Sequence, residues 1–276
     1  MLRKQGERGS TSVALAMAIF LVLMTVITVY IFMAKVWWFP PAITDLGHEI
    51  DAQFMRTLLI TGVVFVAAQF GLAIAIYKFR DHGQKATYFE GNNTMEILWT
   101  LATVVLFVGL GLYARNAWAQ VHFIGASEGA IPIEVTAQQF AWNFRYAGPD
   151  GKFGRTKPEL VSASTGNPIG LDSTDPAAKD DLVSPVAAVP AGREVELILR
   201  SQDVTHSFYV RELRLKQDAV PGMEIHIHFT ANTPGDYELA CAELCGLGLY
   251  RMHSMLTVLS EADYEKWLKD QAAANQ

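Results

Sequence analysis

The chain has 276 residues, with 22 Lys and Arg against 28 Asp and Glu, a net charge of −6, 51% hydrophobic residues and two cysteines. Its mean hydropathy is positive, +0.19, with only 18% charged residues, an unusual balance for a chain that stays in water. The acidic balance excludes a nucleic-acid binder, which needs basic surface against phosphate; the cysteine count excludes a disulfide-framework mini-protein, and the apolar content excludes a disordered tail.

Three apolar runs come first, each long enough to cross hydrocarbon, which takes about 20 residues at a rise of 1.5 Å each. They cover about 13–34 with no charge, 57–77 with Gln69 as the strongly polar interruption, and 95–113 with Glu96 at its start. The first run exceeds the apolar core of a secretory signal peptide and no small-x-small cleavage site follows it closely, so it is expected to remain as a span. Arg3, Lys4 and Arg8 precede the first run, and Lys78, Arg80 and Lys85 lie between the second and third. The intervening loop holds Asp45, Glu49 and Asp51, with Lys35 and Arg56 at its margins. Cytoplasmic loops carry the Lys/Arg excess, so the N-terminus is expected inside and everything after about Trp118 outside. Trp37, Trp38, Trp99 and Trp118 fall near the predicted span ends, where an amphipathic ring is best placed. The expected organisation is a helical membrane region over 1–118 and an extracytoplasmic domain over 119–276, in a bacterial inner (plasma) membrane with that domain on its periplasmic or outer face.

After the third run the pattern changes to short, alternating segments. Residues 131–146, 194–200, 207–210, 223–230, 237–241 and 252–259 read as β-strands, several of them separated by turns such as Pro190-Ala-Gly192, Pro221-Gly222 and Pro234-Gly-Asp236. Many short strands with such turns predict an all-β sandwich or barrel. The stretch of about 148–189, rich in Gly, Pro, Ser and Asp, reads as a polar surface insertion without core content. A terminal helix is expected from about 261, with Ser260 as N-cap and Asp263 as its box partner. Residues 119–276 carry 13 Lys/Arg and 21 Asp/Glu, a net of −8, which suits a basic partner through complementary fields.

Both cysteines sit in Cys241-Ala-Glu-Leu-Cys245-Gly246, directly after a predicted strand. In an oxidising compartment such a pair can form a disulfide. Two thiolates spaced by four, with His206 upstream and Met252 downstream, also suit a soft metal such as copper.

These segments resemble subunit II of haem-copper cytochrome c oxidases. The resemblance rests on Asp203-Val-Thr-His206-Ser-Phe-Tyr, Leu215-Lys-Gln-Asp-Ala-Val-Pro-Gly222, Gly235-Asp-Tyr-Glu-Leu-Ala-Cys241-Ala-Glu243-Leu-Cys245-Gly246 and Met252. Glu96-Ile-Leu-Trp99-Thr100 and Gln139-Phe140-Ala-Trp142-Asn-Phe-Arg-Tyr146 add to it. It implies a membrane-anchored, cupredoxin-like Greek-key β-sandwich holding a dinuclear copper centre of the copper A type. That centre takes electrons from cytochrome c and passes them to haem in subunit I, where oxygen reduction itself belongs. On this resemblance His206, Cys241, Cys245 and Met252 are copper ligands. The Glu243 carbonyl is a further ligand, and the Glu243 carboxylate binds magnesium at the subunit I boundary. Phe140 and Trp142 mark the aromatic patch where electrons come in. Glu96 matches an acid at the mouth of a proton-uptake path, while by position alone it is an N-terminal acid favoured by the helix dipole.

One position departs from the family spacing Cys-x3-Cys-x3-His-x2-Met: Leu249 stands where the second copper's imidazole belongs. His253 directly follows Met252 at the start of a strand, where neighbours point to opposite faces, so it is not expected to replace it. The copper site is therefore expected to be modified: low in occupancy, mononuclear, or an altered dinuclear centre. His226 and His228 alternate on one strand and read as a solvated face outside the site. The competing readings are subunit II of a nitric oxide reductase, or a structural subunit that has lost electron transfer as in quinol oxidases. The retained Cys pair, His206, Glu243 and Met252 oppose the latter.

Overall fold

The computed structural model describes residues 10–83, 85 and 87–274, so Arg3, Lys4 and Arg8 lie outside the described residues. The chain divides into two compact units. The membrane unit draws on three long helices, α1 (Thr11–Met33), α2 (Asp45–Lys78) and α3 (Asn93–His122). Helices suit these sequences because hydrocarbon offers no partners for backbone polar groups, which a helix satisfies internally. The large apolar side chains of all three stay exposed while Ala14, Ala18, Thr25 and Ala73 are buried, small residues at a close helix approach. Hydroxyls inside the spans return to the backbone: Thr61 Oγ1 donates to Thr57 O at 2.8 Å and Thr103 Oγ1 to Trp99 O at 2.8 Å. Asn92 caps α3, its Oδ1 accepting from Met95 N at 3.1 Å.

The second unit is a β-sandwich of two five-stranded sheets. Its strands are β1 (Ile131–Gln138), β2 (Ala141–Tyr146), β3 (Leu182–Ser184), β4 (Ala187–Pro190), β5 (Glu194–Ser201), β6 (His206–Val210), β7 (Leu215–Ala219), β8 (Ile225–Thr230), β9 (Gly235–Cys241) and β10 (His253–Leu259). One sheet has the order β3-β2-β1-β5-β8 and the other β4-β10-β9-β6-β7. The pairs β1/β5 and β4/β10 are parallel and the rest antiparallel. Alternate residues of each strand, such as Val195, Leu197 and Leu199 or Leu256 and Val258, meet in one core, the period-2 burial of packed sheets. The C-terminal α4 (Glu261–Ala274) starts with Ser260 Oγ bonded to Asp263 Oδ2 at 2.6 Å and accepting from Asp263 N at 3.2 Å. It seats Trp267 against Tyr146, ring centroids 5.1 Å apart, and burial pushes the Tyr264 phenol up to about 12.

The segment 131–146 is not one strand but the hairpin β1–β2, with Gln139 and Phe140 at its turn. Strands β3, β4 and β7 went unpredicted because each is short and carries little alternation; ladder pairing with a neighbour defines them instead.

The segment 148–189 also differs from the expected insertion without core content. It carries β3 and most of β4, buries Leu182, Ala187, Ala188 and Val189 in the core, and covers the outer face of the first sheet. There Arg145 Nη2 pairs with Glu134 Oε2 at 2.9 Å, Arg145 Nη1 donates to Gly154 O at 2.7 Å, and Asp181 Oδ2 accepts from Gly154 N at 2.8 Å. The Phe153 ring packs over the Arg145 guanidinium at 4.8 Å. Glu134 and Arg145, outward residues by alternation, are consequently only 3% exposed.

The segment Pro40–Asp51, which includes the start of α2 and was assigned to the membrane region by sequence, belongs to the β-unit. Arg214, held in the left-handed region at φ 57°, grips Asp51 through Nε and Nη2 at 2.7 and 2.9 Å and donates to Pro40 O at 2.6 Å. Backbone bonds from Ile43 N to Glu212 O and from Asn232 N to Ile43 O complete the stitch.

Removing one partner of a buried ion pair strands the others. Arg145→Ala is expected to destabilise the β-unit by about 3–5 kcal/mol, read as a fall in thermal midpoint of order 10 °C in the purified full chain. A midpoint unchanged within error would show that the cover on the first sheet contributes nothing.

Candidate metal centre

Three connections converge at one end of the sandwich: the β1–β2 turn, the β5–β6 loop and the β9–β10 loop. The parallel register of β1 and β5 places their C-terminal ends together, and Gln202 N bonds to Ala137 O at 3.0 Å. Antiparallel β9 and β10 bring the end of one strand beside the start of the other, with Cys241 N donating to Met252 O at 3.1 Å. Cys241 lies opposite Phe208 in register, and Ala242 N reaches Ser207 O at 3.0 Å. His206, the first residue of β6, is thereby brought beside the cysteine loop.

His206 Nδ1 and the sulfurs of Cys241 and Cys245 lie within 4.8 Å of one another, the single such His/Cys/acid group among the described residues. Cys241 Sγ is 3.9 Å from His206 Nδ1 and 3.8 Å from Cys245 Sγ, which is 3.8 Å from Met252 Sδ. The thiols are free, their separation far beyond the roughly 2.05 Å of a disulfide. Cys241 Sγ also faces the Glu243 carbonyl at 3.4 Å. His206, Cys245 and Met252 are 0, 3 and 2% exposed. Burial, with the neighbouring Cys241 adding to it, pushes the Cys245 thiol up to about 11. Such a donor set, one imidazole, two thiols and a thioether in an apolar surround, fits a soft ion such as copper.

Around these donors, Trp142 is buried with its ring edge toward His206 at 6.3 Å and Phe208 at 6.0 Å. Phe140 is half-buried and lies across the cysteine loop, its ring so near Gly248 that a Cβ there would overlap it. Glu243 is half-buried, its carboxylate accepting from Leu244 N at 3.2 Å. Leu249 opens a short 3-10 turn, Leu249–Arg251, and packs hydrocarbon against the core. His253 points outward and takes no part in the cluster.

Glu96 is exposed in the first turn of α3, within the membrane unit. His226 is exposed and meets Glu196 at 3.0 Å. His228 departs from the solvated face expected of it. Its Nδ1 faces Glu194 at 2.8 Å and its Nε2 the carbonyls of Gln120 and Ile124 at 3.2 and 2.9 Å, because the chain leaving α3 packs on β8.

Sequence reasoning assigned no role to Asp203 or Gln139. Asp203 Oδ1 is 2.8 Å from His206 Nε2, and Asp203 Oδ2 accepts from Gln139 N at 2.7 Å. Burial of Asp203 is outweighed by its bonds to His206, Gln139 and Val204, which lower its carboxyl below the usual range. The Asp-x-x-His spacing was the available signal.

Fold and site together define a membrane-anchored, cupredoxin-like protein with a cluster of imidazole, thiol and thioether side chains at one end of its sandwich. The chain matches the family described as cytochrome c oxidase subunit II, transmembrane domain, over residues 32–115, and the periplasmic domain of the same subunit over 174–262. It is 35% identical over 265 residues to the alternative cytochrome c oxidase subunit 2 of Bradyrhizobium diazoefficiens, covering 93% of this chain and 92% of that one. It is 27% identical to cytochrome c oxidase subunit 2 of Synechocystis, covering 85% and 76%. Among solved structures, the periplasmic domain of cytochrome oxidase subunit II from Bradyrhizobium japonicum matches with a TM-score of 0.39 at 20% identity, covering 54% of this chain and 97% of that one. The chain belongs to the cytochrome c oxidase subunit II family. It is thus a subunit of a haem-copper oxidoreductase complex of the respiratory chain, held in a bacterial inner membrane by apolar helices with its β-domain on the periplasmic side.

The contact of Phe140 with the cysteine loop is testable. Gly248→Ala is expected to destabilise the purified chain by about 1–3 kcal/mol through overpacking, and the same change in a Phe140→Ala background by clearly less. Equal losses in both backgrounds would mean that the ring does not set the loop's position.

Proposed function

We propose that this subunit accepts electrons from cytochrome c at a copper centre held by His206, Cys241, Cys245 and Met252, and relays them to haem in subunit I. The observation that carries the reading is the convergence of His206 Nδ1 and both cysteine sulfurs within 4.8 Å, with Met252 Sδ 3.8 Å from Cys245. Copper supplies a one-electron couple that thiolate and imidazole donors can stabilise in both oxidation states. The protein's task is to present those donors in a fixed arrangement and keep water away. The backbone bonds of Cys241 to Met252 and of Ala242 to Ser207 hold the loop ends, while buried Trp142 and Phe208 line the donors with apolar surface. Phe140, half-buried over the loop backbone, and Trp142, edge-on to His206, form the aromatic approach for an incoming electron. The β-domain's acidic balance suits a basic donor.

Leu249 makes this centre mononuclear. His206 Nδ1, Cys241 Sγ, Cys245 Sγ and Met252 Sδ, which follow one another at 3.9, 3.8 and 3.8 Å, would together hold a single copper. A second ion would have only the shared thiolates and the Glu243 carbonyl, since Leu249 has no donor atom and His253 faces outward. In the same reading Glu243 offers its carboxylate to magnesium at the subunit I boundary, and Glu96, exposed at the start of α3, receives protons for subunit I.

The deciding measurements use the purified chain loaded with copper, then the assembled complex. Wild type is expected to hold one copper per chain, with a hyperfine pattern from a single copper nucleus, and Leu249→His to hold two sharing an unpaired electron. A wild-type stoichiometry of two, or a Leu249→His spectrum identical to wild type, would remove Leu249 as the cause. Within the complex, Cys241→Ser is expected to abolish oxygen uptake driven by reduced cytochrome c; unchanged uptake would overturn the electron-relay role.

A further inference from the structure

We propose, resting on the reading that His206 and the two cysteines hold copper, that Asp203 and Gln139 are the positioning residues of the centre, one fixing the imidazole and the other the cysteine loop. A neutral imidazole carries one N–H and one lone pair, and a carboxylate only accepts. With Asp203 Oδ1 2.8 Å from Nε2, the proton sits on Nε2 and the Nδ1 lone pair faces Cys241 Sγ, 3.9 Å away. In the opposite tautomer an N–H would point at the metal position and bar His206 from it. A ring held by carboxylate is also the more basic ligand, so it favours the oxidised ion.

Asp203 is itself held, because Oδ1 accepts from Val204 N at 2.7 Å and Oδ2 from Gln139 N at 2.7 Å. Gln139 then continues the chain of bonds. Its Nε2 donates to the carbonyl of Cys245 at 2.5 Å. The β1–β2 turn is therefore a strut: its backbone fastens the loop that leads into His206 and its side chain fastens the β9–β10 loop at Cys245. Neither residue has a donor atom in the cluster, so each acts through the ligands it holds.

The experiment compares purified full-length wild type with Asp203→Asn, Asp203→Ala and Gln139→Leu. It reads copper affinity by chelator competition, the paramagnetic resonance spectrum and the reduction potential, with thermal midpoints as a folding check. Asp203→Asn keeps an oxygen for Nε2–H but loses the charge, so copper stays bound and the potential rises. Asp203→Ala loses the acceptor as well, and its copper affinity falls about 10–100-fold. Gln139→Leu releases the cysteine loop, which lowers affinity and broadens the spectrum without the rise in potential. Should Asp203→Ala fail to fold, the potential of Asp203→Asn decides. Wild type binding copper while the Asp203 variants keep its affinity, spectrum and potential overturns the positioning role and leaves the metal reading intact. Wild type that binds no copper removes both.

Discussion

Two unbonded sulfurs held 3.8 Å apart at one end of the sandwich are the constraint around which the surrounding loops are arranged. The fold gives each a different anchor. Cys241 is the last residue of β9 and tied to β10 through Met252. Cys245 sits in the loop, its carbonyl held by Gln139 and its sulfur against Met252. Strand pairing at Cys241 and side-chain contacts at Cys245 together set the spacing.

That rigidity is underwritten from the far side of the sandwich. The first sheet, which supplies the β1–β2 turn and leads through β5 into the His206 loop, is covered on its outer face by the segment that follows β2. The cover is electrostatic as much as apolar: Arg145 bridges Glu134 and the backbone of Gly154 under the Phe153 ring. Charges buried this way need every partner in place. The segment 40–51, gripped by Arg214 through Asp51 and Pro40, is part of the same β-unit.

Leu249 opens the short turn between the cysteine loop and Met252. Its backbone keeps the local turn, with Met252 N bonded to Leu249 O at 2.9 Å, while its side chain contributes packing and no electron pair. The turn is thus held by backbone bonding and apolar packing, neither of which needs a polar side chain at this position.

Much of this was legible in the sequence because it is local. Apolar runs about 20 residues long follow from hydrocarbon thickness, the Ser260–Asp263 cap from neighbouring side chains, and the Cys, His and Met motif from residues with few other uses in such a pattern. Short strands such as β3 and β4 were not legible, since a ladder neighbour far along the chain defines them. Nor was the burial of Glu134 and Arg145, which depends on what lies over the sheet, nor the bonds from Gln139 to Asp203 and to Cys245. Those pairs join residues as much as 106 positions apart. Only the folded chain brings them within bonding distance, because a hydrogen bond depends on separation in space and not along the sequence.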